Sequence, residues 1–419
     1  MLVRSALAAA LALAVLAAPP DARPRPLALA VRSDGEFEAA VSALRDSGGT
    51  VVLLPGSYGD LVIPSRSSRP LAVVGGPGVR VQQVLFDHTQ HVSLGRLTIS
   101  PSFEDALVEV RTSGWIDLHD LVVTARGTPY SASILLPDAH DLTIRRSTFT
   151  HCGDRSVDFA NCVLLYRWSR RITVEDNWFH DCYGCDFLHG RFGSDLAIRR
   201  NRFERTLPCA MGRYRCGHQD LIELFLGRRL RVEDNHFGVY RSGGAQVYLT
   251  NAVDHATIVN NVFVGTDRRV PGYHSRVAVV VGSRGTRRVP HDVKIVNNTI
   301  LTGARRRDGY EGSIRISSLY GGVPRRLRPV VANNVIALLG QRWPVCSAAR
   351  VSVANVVLRG QACTPSDVVA PADLDARGRP TARSALLIDQ ASRRWAPARD
   401  ITGRRRGAAP DIGAYEFRG

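Results

Sequence analysis

The chain has 419 residues, of which 44% are hydrophobic and 7% aromatic, so it is long enough to bury a large core. This hydrophobicity argues against intrinsic disorder, and the lack of a long apolar run beyond the N-terminus argues against a polytopic membrane protein. The 55 basic and 38 acidic residues give a formal charge of +17, and Lys294 is the only lysine. The basic surface is therefore almost entirely arginine, whose planar guanidinium suits carboxylate, sulfate or phosphate partners.

The first 17 residues have the pattern of an export signal. Arg4 precedes a short apolar run that ends at Ala17, and Val15 and Ala17 are small residues at the expected cleavage positions. The run is too short to span a membrane comfortably, which disfavours the alternative of an anchor. We expect residues 1–17 to be a cleaved signal peptide and residues 18–32 to be a linker. The protein is then secreted or periplasmic.

Residues 33–63 predict a helix followed by strands. Residues 34–46 are amphipathic, and the stretch that follows reads GGTVVLLPGSY. A helix at this point would cover the open end of an apolar solenoid core. The helix and the GG-T-V-x-x-x-P-G-x-Y stretch together resemble the entry to pectate-lyase-like β-helix proteins.

A nine-residue pattern recurs between His91 and Ile336. Each copy alternates apolar and polar residues, which predicts a half-buried strand. The seventh residues of the copies are Leu97, Leu121, Ser147, Asn177, Asn201, Asn235, Asn261, Asn298 and Asn334. One strand per 24 to 37 residues favours a right-handed parallel β-helix, because its corner loops can vary while the coils stay about 4.8 Å apart. We expect the asparagines to adopt the left-handed (αL) conformation at one corner, with their amides stacked between coils.

Eight cysteines in an exported chain indicate disulfides. Cys182 and Cys185 form a C-x-x-C motif, but no second such motif is present, so we do not expect zinc. Cys152 and Cys182 each follow a copy of the repeat by three residues, which predicts that they stack on adjacent coils and are bonded. The other expected pairs are Cys209–Cys216 and Cys346–Cys363, with Cys162–Cys185 left open.

The repeat decays after residue 347. The last residues contain Asp400, Gly403, Arg405, Asp411, Gly413 and Glu416 in an order that resembles the D-x-x-G-x-R…D-I-G-A-Y-E tail of many exported bacterial β-helix proteins. The sequence thus predicts an all-β chain. A right-handed parallel β-helix over residues 33–347, with its short N-terminal capping helix, is followed by an irregular tail over residues 348–419. We expect a monomer.

Polar residues cluster on the strand before the asparagine strand in successive coils. Asp186, Asp220 and Gln246 each lie 15 residues before an asparagine of the repeat, which predicts one column of side chains. By the same count, His189, Glu223 and Leu249 form a second column, and Arg191, Phe225 and Asn251 form a third. Stacked acids can also bond turn amides or hold a structural Ca²⁺, so a purely structural role is the alternative.

These residue types fit β-elimination beside a uronate, which needs a carboxylate-binding group, a base for the C5 proton and an acid for the leaving oxygen. Arg191 is the candidate for the carboxylate and His189 for the base. Asp186, Asp220 and Glu223 would hold the imidazole or bind Ca²⁺, the one cofactor considered. The candidate substrate-binding residues are His218, Gln246, Tyr248, Asn251 and Arg276. The resemblance to pectate-lyase-like proteins favours a lyase acting on an acidic polysaccharide.

Two other functions remain open on the sequence. A glycoside hydrolase would use two carboxylates among Asp186, Asp220 and Glu223. A non-catalytic exported protein that binds a glycan or a surface would need none of this chemistry. A nucleic-acid partner is not expected, because the chain has no repeat of aromatic and basic residues and because it carries an export signal.

Overall fold

The chain folds as a right-handed parallel β-helix, as the repeat predicts. The structure is a computed structural model, and it describes residues 27–66, 68–100, 106–125, 132–152, 160–183, 185–207, 220–238, 244–264, 277–283, 288–301, 312–339 and 345–418. Within these ranges each coil contributes strands to three faces, and each strand pairs in parallel with the strands of neighbouring coils. The predicted signal peptide lies outside the described residues, as do His218, Arg276, Cys209 and Cys216.

Face 1 is formed by the strands that precede the nine-residue repeat. They are Gly56–Ile63, Val79–Asp87, Val108–Arg111, Ile134–Pro137, Ala160–Tyr166, Cys185–Arg199, Ile222–Glu233, Ala245–Asp254, Val277–Gly282 and Ile314–Ile316. Face 2 is formed by the first part of the repeat. Its strands are Ala28–Val31, Gly49–Leu53, Leu71–Val74, Gln90–Gly95, Gly114–His119, His140–Arg145, Arg170–Glu175, the ends of Cys185–Arg199 and Ile222–Glu233, Thr257–Val259, Lys294–Val296, Val330–Ala332 and Val351–Val353.

Face 3 follows the asparagine corner. It contains the starts of Gly56–Ile63 and Val79–Asp87, then Thr98–Ile99, Val122–Thr124, Thr148–Thr150, Trp178–Tyr183, Arg202–Leu207, His236–Phe237, Val262–Phe263, Thr299–Ile300, Val335–Ile336, Val356–Val357 and Val368–Val369. The last strands of faces 2 and 3 extend the stacking past residue 347, where the repeat was expected to end. Ala28–Val31 forms a strand within the predicted linker. The helical segments are Asp34–Ala43, Val345–Ala348 and the 3₁₀ turns Ser318–Gly322 and Arg325–Leu327.

The helix Asp34–Ala43 caps the first coil. The hydroxyl of Ser33 accepts a hydrogen bond from the amide of Glu36 and so satisfies one of the free N–H groups at the helix start. Phe37, Ala40 and Val41 are buried against the first strands. The helix therefore closes the apolar end of the solenoid, as its position in the sequence predicts.

A ladder of buried side-chain amides joins the coils at the corner between faces 2 and 3. The Oδ1 of each asparagine accepts hydrogen bonds from the backbone and side-chain amides of the asparagine on the preceding coil. Asn201 N lies 2.9 Å from Asn235 Oδ1, for example. Each Nδ2 also donates to a carbonyl oxygen of the preceding coil. The ladder runs through Ser147, Asn177, Asn201, Asn235, Asn261, Asn298, Asn334, Asn355 and Asp367. The predicted stacking is confirmed.

The expectation that these asparagines are in the αL conformation is wrong. The residue with positive φ is the one before each asparagine, such as Asp176 (φ 56°), Arg200 (φ 54°) and Asn260 (φ 55°). This arrangement lets the preceding residue turn the chain while the asparagine side chain points into the corner. In most copies the first residue of the repeat, such as Arg171 (φ 53°), is also αL, so these repeat strands are bounded by two left-handed residues.

The disulfides Cys152–Cys162 and Cys182–Cys185 each lie within one coil rather than between coils. The predicted Cys152–Cys182 bond is wrong, because Cys152 bonds Cys162 and Cys182 bonds Cys185. The sulfurs of Cys152, Cys162 and Cys182 do lie within 4.8 Å of one another, so the stacking was inferred correctly and the pairing was not. Each bond joins the end of face 3 to the start of face 1. The predicted Cys346–Cys363 bond is confirmed.

The C-terminal tail packs on the last coils, against the residues of positive φ that precede the asparagines of the ladder. The side chains of Asn260, Asn297 and Asn333, which directly precede asparagines of the ladder, donate hydrogen bonds to tail carbonyl oxygens. The buried Arg406 donates to Glu416 Oε2, to Asn260 Oδ1 and to carbonyl oxygens of the tail. Arg405, which the tail pattern singled out, is exposed.

The other residues of the tail pattern form internal hydrogen bonds. The carboxylates of Asp400, Asp411 and Glu416 accept hydrogen bonds from backbone amides of the tail. Gly403 and Gly413 have positive φ. The residues of the pattern therefore stabilise the fold of the tail on the solenoid.

The amide ladder yields a test of stability. Asn235→Ala removes the acceptor of the buried Asn201 amide and the donor to the Ile198 carbonyl oxygen. We expect this substitution to lower the free energy of unfolding by about 2 kcal/mol or more, because buried unpaired backbone groups are costly. Thr143→Ala, on the half-buried outer surface of face 2, should change it by less than about 0.5 kcal/mol. Denaturant unfolding that gives equal values for the two variants would contradict the role of the ladder.

The pH dependence of stability yields a second test, at Asp234. Burial raises the pKa of Asp234 from 3.8 to about 6. A raised pKa in the folded state means that this group favours folding when protonated, and that this contribution is lost as the pH rises through about 6. Asp234→Asn should therefore raise the melting temperature relative to wild type at about pH 7.5, and the difference should disappear near pH 4. Asp176→Asn removes an ion pair with Arg200 and should give no such gain. A gain for Asp234→Asn that is equal at both pH values would contradict the assignment.

Candidate functional site

The outer surface of face 1 carries one column of side chains in register. The pairing Leu164↔His189↔Glu223↔Tyr248 places these residues opposite one another on four successive coils. The column continues to Arg315. His189 and Glu223 are thus neighbours, as predicted, but the next residue is Tyr248 and not Leu249.

A one-residue bulge explains the shift. Leu224 pairs with Leu249 but Leu226 pairs with Ala252, so the coil of Tyr248 has one residue more at this point. A count of 15 residues back from Asn261 therefore reaches Gln246, which is one residue too far along the chain. The residue that lies opposite Asp220 is Ala245, whose amide donates to the Asp220 carboxylate. A second irregularity, between Cys185–Arg199 and Ile222–Glu233, places Arg191 opposite Leu226 and sets Phe225 into a bulge. The predicted third column of Arg191, Phe225 and Asn251 is therefore displaced.

His189 is held by two carboxylates. Its Nδ1 lies 2.7 Å from Asp186 Oδ2 and 3.4 Å from Glu223 Oε2. The side chains of Asp186 and Glu223 are 1% and 0% exposed, whereas that of His189 retains 13% exposure. Carboxylates only accept hydrogen bonds, so Nδ1 carries the proton in this arrangement and the lone pair of the neutral imidazole lies on Nε2.

Asp186 also belongs to the architecture of the coil. Its Oδ1 accepts a hydrogen bond of 2.8 Å from the amide of Asp220 on the next coil. One oxygen thus fixes the carboxylate to the solenoid and the other orients His189. Because each oxygen has its own partner, the carboxylate of Asp186 is fixed in its orientation toward the imidazole.

Asp220 follows Asp186 on the next coil, as the predicted column requires, and its carboxylate also bonds a backbone amide. Its Oδ1 accepts from the amide of Ala245, one coil further on. The ligand atoms that lie within 4.8 Å of one another belong to Asp186, His189 and Glu223. Asp220 therefore repeats the inter-coil bond of Asp186, which is the structural role considered above.

Arg191 is held between two aromatic rings. Its guanidinium carbon lies 5.7 Å from the ring centre of Tyr166 and 6.0 Å from that of Phe225, on the coils before and after it. The imidazole of His189 lies 5.5 Å from the same Phe225 ring. Such cation–π contacts orient a guanidinium. They leave the hydrogen-bond donors in the guanidinium plane available for a carboxylate. The sequence placed Phe225 in one column with Arg191 but did not assign it or Tyr166 a role, although both lie in strands of the neighbouring coils.

Gly190 allows the two site residues that flank it to take these positions. It has φ of 123°, and a Cβ atom there would lie 2.0 Å from the carbonyl oxygen of Leu165. Only glycine tolerates both the conformation and the approach. The strand therefore bends between His189 and Arg191, and the two side chains meet the same aromatic ring.

The remaining candidates are less central. Gln246 is fully buried, and its Nε2 donates to the carbonyl oxygens of Gly238 and Val264 near face 3. Asn251 is an αL residue with φ of 59°, and its Oδ1 accepts from the hydroxyl of Thr250. Tyr248 is half-buried beside Glu223 on the outer surface of face 1.

The three grouped side chains fit a calcium ion poorly. Ca²⁺ takes six to eight oxygen ligands, whereas this group offers an imidazole nitrogen and two carboxylates. Asp220, which was expected as a ligand, has one oxygen bonded to a backbone amide. The three side chains instead interact with one another, with the imidazole of His189 beside the two carboxylates.

The chain is similar to several β-helix proteins. The family model for the right-handed beta helix region matches residues 106–300. Pectate lyase Pel9A aligns over 94% of this chain and 97% of its own, with a TM-score of 0.51 and 13% identity. The alginate lyase AlyGC of family PL6 aligns over 88% and 59%, with a TM-score of 0.45 and 13% identity. The surface adhesin PfbA of Streptococcus pneumoniae aligns over 72% and 82%, with a TM-score of 0.46 and 12% identity.

The likeness to the pectate lyase shows a shared fold, and at this identity it shows the fold alone. No curated protein matches the sequence. Among the described residues, no helix is both long and apolar enough to cross a membrane. The chain is thus a right-handed parallel β-helix protein of pectate-lyase-like fold, and its activity must be argued from the site.

Calcium dependence can be measured directly. We expect the melting temperature to be the same in EDTA and in excess Ca²⁺, since a cation that bound only the folded chain would raise it. A calcium-dependent rise that Glu223→Gln abolishes would restore the calcium role. Glu109→Gln is the matched control, because Glu109 lies in the same outer column away from the cluster and should leave such a rise unchanged.

Proposed function

We propose that the protein is an exported enzyme that cleaves a uronate-containing polysaccharide by β-elimination. The observation that carries the proposal is the pairing of an imidazole held by Asp186 with a guanidinium held between two rings. A base and a carboxylate-binding group are the two components that this reaction requires most directly.

Arg191 binds the uronate carboxylate in this proposal. Its donors form a fork that matches a carboxylate, and the charge makes the C5 proton more acidic by stabilising the carbanion that forms next to the carboxylate. Tyr166 and Phe225 hold the guanidinium in place before the substrate arrives. Less side-chain entropy is then lost when the substrate binds.

His189 removes the C5 proton through Nε2. Asp186 keeps the proton of the neutral imidazole on Nδ1, and Asp186 and Glu223 together stabilise the imidazolium that forms. The electron pair of the C5–H bond becomes the C4=C5 double bond while the C4–O bond breaks. The leaving oxygen takes a proton from water, and the imidazolium returns its proton to the hydroxide that remains. Tyr248 contacts the adjoining sugar.

Several properties of the chain support an acidic polymer as substrate. The charge of +17 attracts polyanions. One solved protein that shares the fold is, by its name, a pectate lyase. The disulfides Cys152–Cys162, Cys182–Cys185 and Cys346–Cys363 fit an extracellular or periplasmic location.

The geometry favours a lyase over a glycoside hydrolase. A hydrolase needs its two carboxyl groups about 5 to 9.5 Å apart across the glycosidic bond. Here oxygens of both Asp186 and Glu223 lie within 4.8 Å of each other and of the same imidazole nitrogen. They act together on His189 rather than from opposite sides of a sugar.

Product analysis on a panel of acidic polysaccharides tests the proposal. We expect ultraviolet absorbance from an unsaturated uronate, lost at least about 100-fold in His189→Ala because a positioned base contributes about that much. Arg191→Lys should raise KM and lower kcat, since lysine has no planar fork. His255→Ala is the control, because His255 is an exposed histidine on another face and should leave turnover unchanged.

Three outcomes would overturn the assignment. Reducing ends without the absorbance would indicate a hydrolase. Binding without any product would indicate a glycan-binding protein. Full turnover by a folded His189→Ala variant would place the active site elsewhere on the chain.

A further inference from the structure

A groove on face 2, near the capped end of the solenoid, lies apart from the candidate site. It has a volume of about 830 Å³, within the usual range for ligand pockets. Its floor is formed by short side chains in register on four coils, namely Thr50, Ala72, Ser93 and Asp117. Three coil spacings give the floor a length of about 14 Å. Arg69, Pro70, His91 and Trp115 line one side.

Trp115 provides a flat apolar surface at this groove. Its side chain is 46% exposed, and its ring stacks on His91 with the centres 4.9 Å apart and an interplanar angle of 15°. His140 packs against it edge-on at 5.0 Å. The ring is therefore fixed by two imidazoles while nearly half of the side chain faces solvent.

The position of Trp115 in the repeat is unusual. It is the first residue of a repeat copy and has φ of 52°, a conformation that is rare for bulky residues. In later coils the same position forms pairs between neighbouring coils, through Asp141–Arg171, Asp195–Arg229 and His255–Asp292. Each of these pairs satisfies itself by charge or hydrogen bonding. In the first pair, His91 and Trp115, two stacked rings replace the ion pair, and the indole remains partly exposed.

The polar groups of the groove are already oriented. The hydroxyl of Ser93 is hydrogen-bonded to His119 Nε2 at 3.0 Å. Asp117 forms a two-pronged ion pair with Arg145, at 2.8 and 2.5 Å. Fixed hydroxyl and carboxylate groups beside a fixed aromatic ring match a sugar, which has an apolar C–H face and a rim of hydroxyls.

We propose that this groove is a second glycan-binding site, in which a sugar ring stacks on Trp115 and its hydroxyls meet Ser93 and Asp117. The groove lies on another face from His189, and Trp115 is three coils nearer the capped end. The proposal therefore does not depend on the activity proposed above. A chain bound here would keep a long polysaccharide attached to the protein, whatever happens at the other site.

Native gel electrophoresis in gels that contain pectate, alginate or a neutral α-glucan tests the proposal. The starting chain carries His189→Ala and Arg191→Ala, so that the candidate catalytic site is disabled and only other sites retard it. We expect retardation by at least one of these polysaccharides. Trp115→Asn should weaken it at least about 10-fold, because asparagine tolerates the αL backbone but offers no ring. Trp115→Phe should retain much of the retardation.

Trp178→Asn is the matched control, because Trp178 is 40% exposed but lies on face 3. It should leave the retardation unchanged, and melting temperatures should show that each variant is folded. If Trp115→Asn fails to fold, His91→Ala provides the same test by removing the support of the ring. If none of the three polysaccharides retards the starting chain, the proposal is wrong. Equal retardation of the Trp115→Asn and Trp178→Asn variants would also overturn it. Neither result depends on whether an unsaturated product is formed.

Discussion

The hydrogen bonds that run between coils are the constraint on which the rest of this structure depends. A solenoid has no long-range core contacts beyond its neighbouring coils, so the register between coils must be fixed locally. The buried amide ladder does this at one corner, since each asparagine satisfies a backbone amide of the preceding coil. A coil that slipped by one residue would leave these groups buried and unpaired, at a cost of about 1 to 3 kcal/mol each.

The candidate site uses the same kind of bond. Asp186 accepts from the amide of Asp220, and Asp220 accepts from the amide of Ala245, so two carboxylates act as inter-coil connectors on face 1. The second oxygen of Asp186 is hydrogen-bonded to His189. The proposed base is thus oriented by a carboxylate that also bonds between coils, and the second carboxylate comes from the next coil in register.

The sequence predicts the architecture well, because the pattern repeats and each copy reports on the others. The ladder through Asn177, Asn201, Asn235 and Asn261 follows from spacing alone, and so does the adjacency of His189 and Glu223. The extension to Asn355 and Asp367 was missed, although Asn355 stands in a weak further copy of the repeat.

What the sequence could not predict are features set by single local deviations. The bulge after Leu249 moves Tyr248 rather than Leu249 into the outer column, and no pattern marks it. The Cys152–Cys162 bond joins faces 3 and 1 of one coil instead of two stacked coils. The sequence could not predict this choice, because the sulfurs of Cys152, Cys162 and Cys182 all lie within 4.8 Å of one another. The count from the asparagines relates Arg191 to Phe225, but it does not predict the cation–π contacts with Tyr166 on the coil before and Phe225 on the coil after.

The central claim concerns the imidazole of His189, on which the proposed chemistry rests. Nitrogen-15 NMR of histidine-labelled protein at about pH 8, with the His189 signals assigned by their loss in His189→Ala, reports which ring nitrogen carries the proton. The arrangement with Asp186 and Glu223 predicts a neutral ring with the proton on Nδ1 and the lone pair on Nε2. A neutral ring protonated on Nε2 would contradict it, because His189 would then have no lone pair there with which to remove a proton.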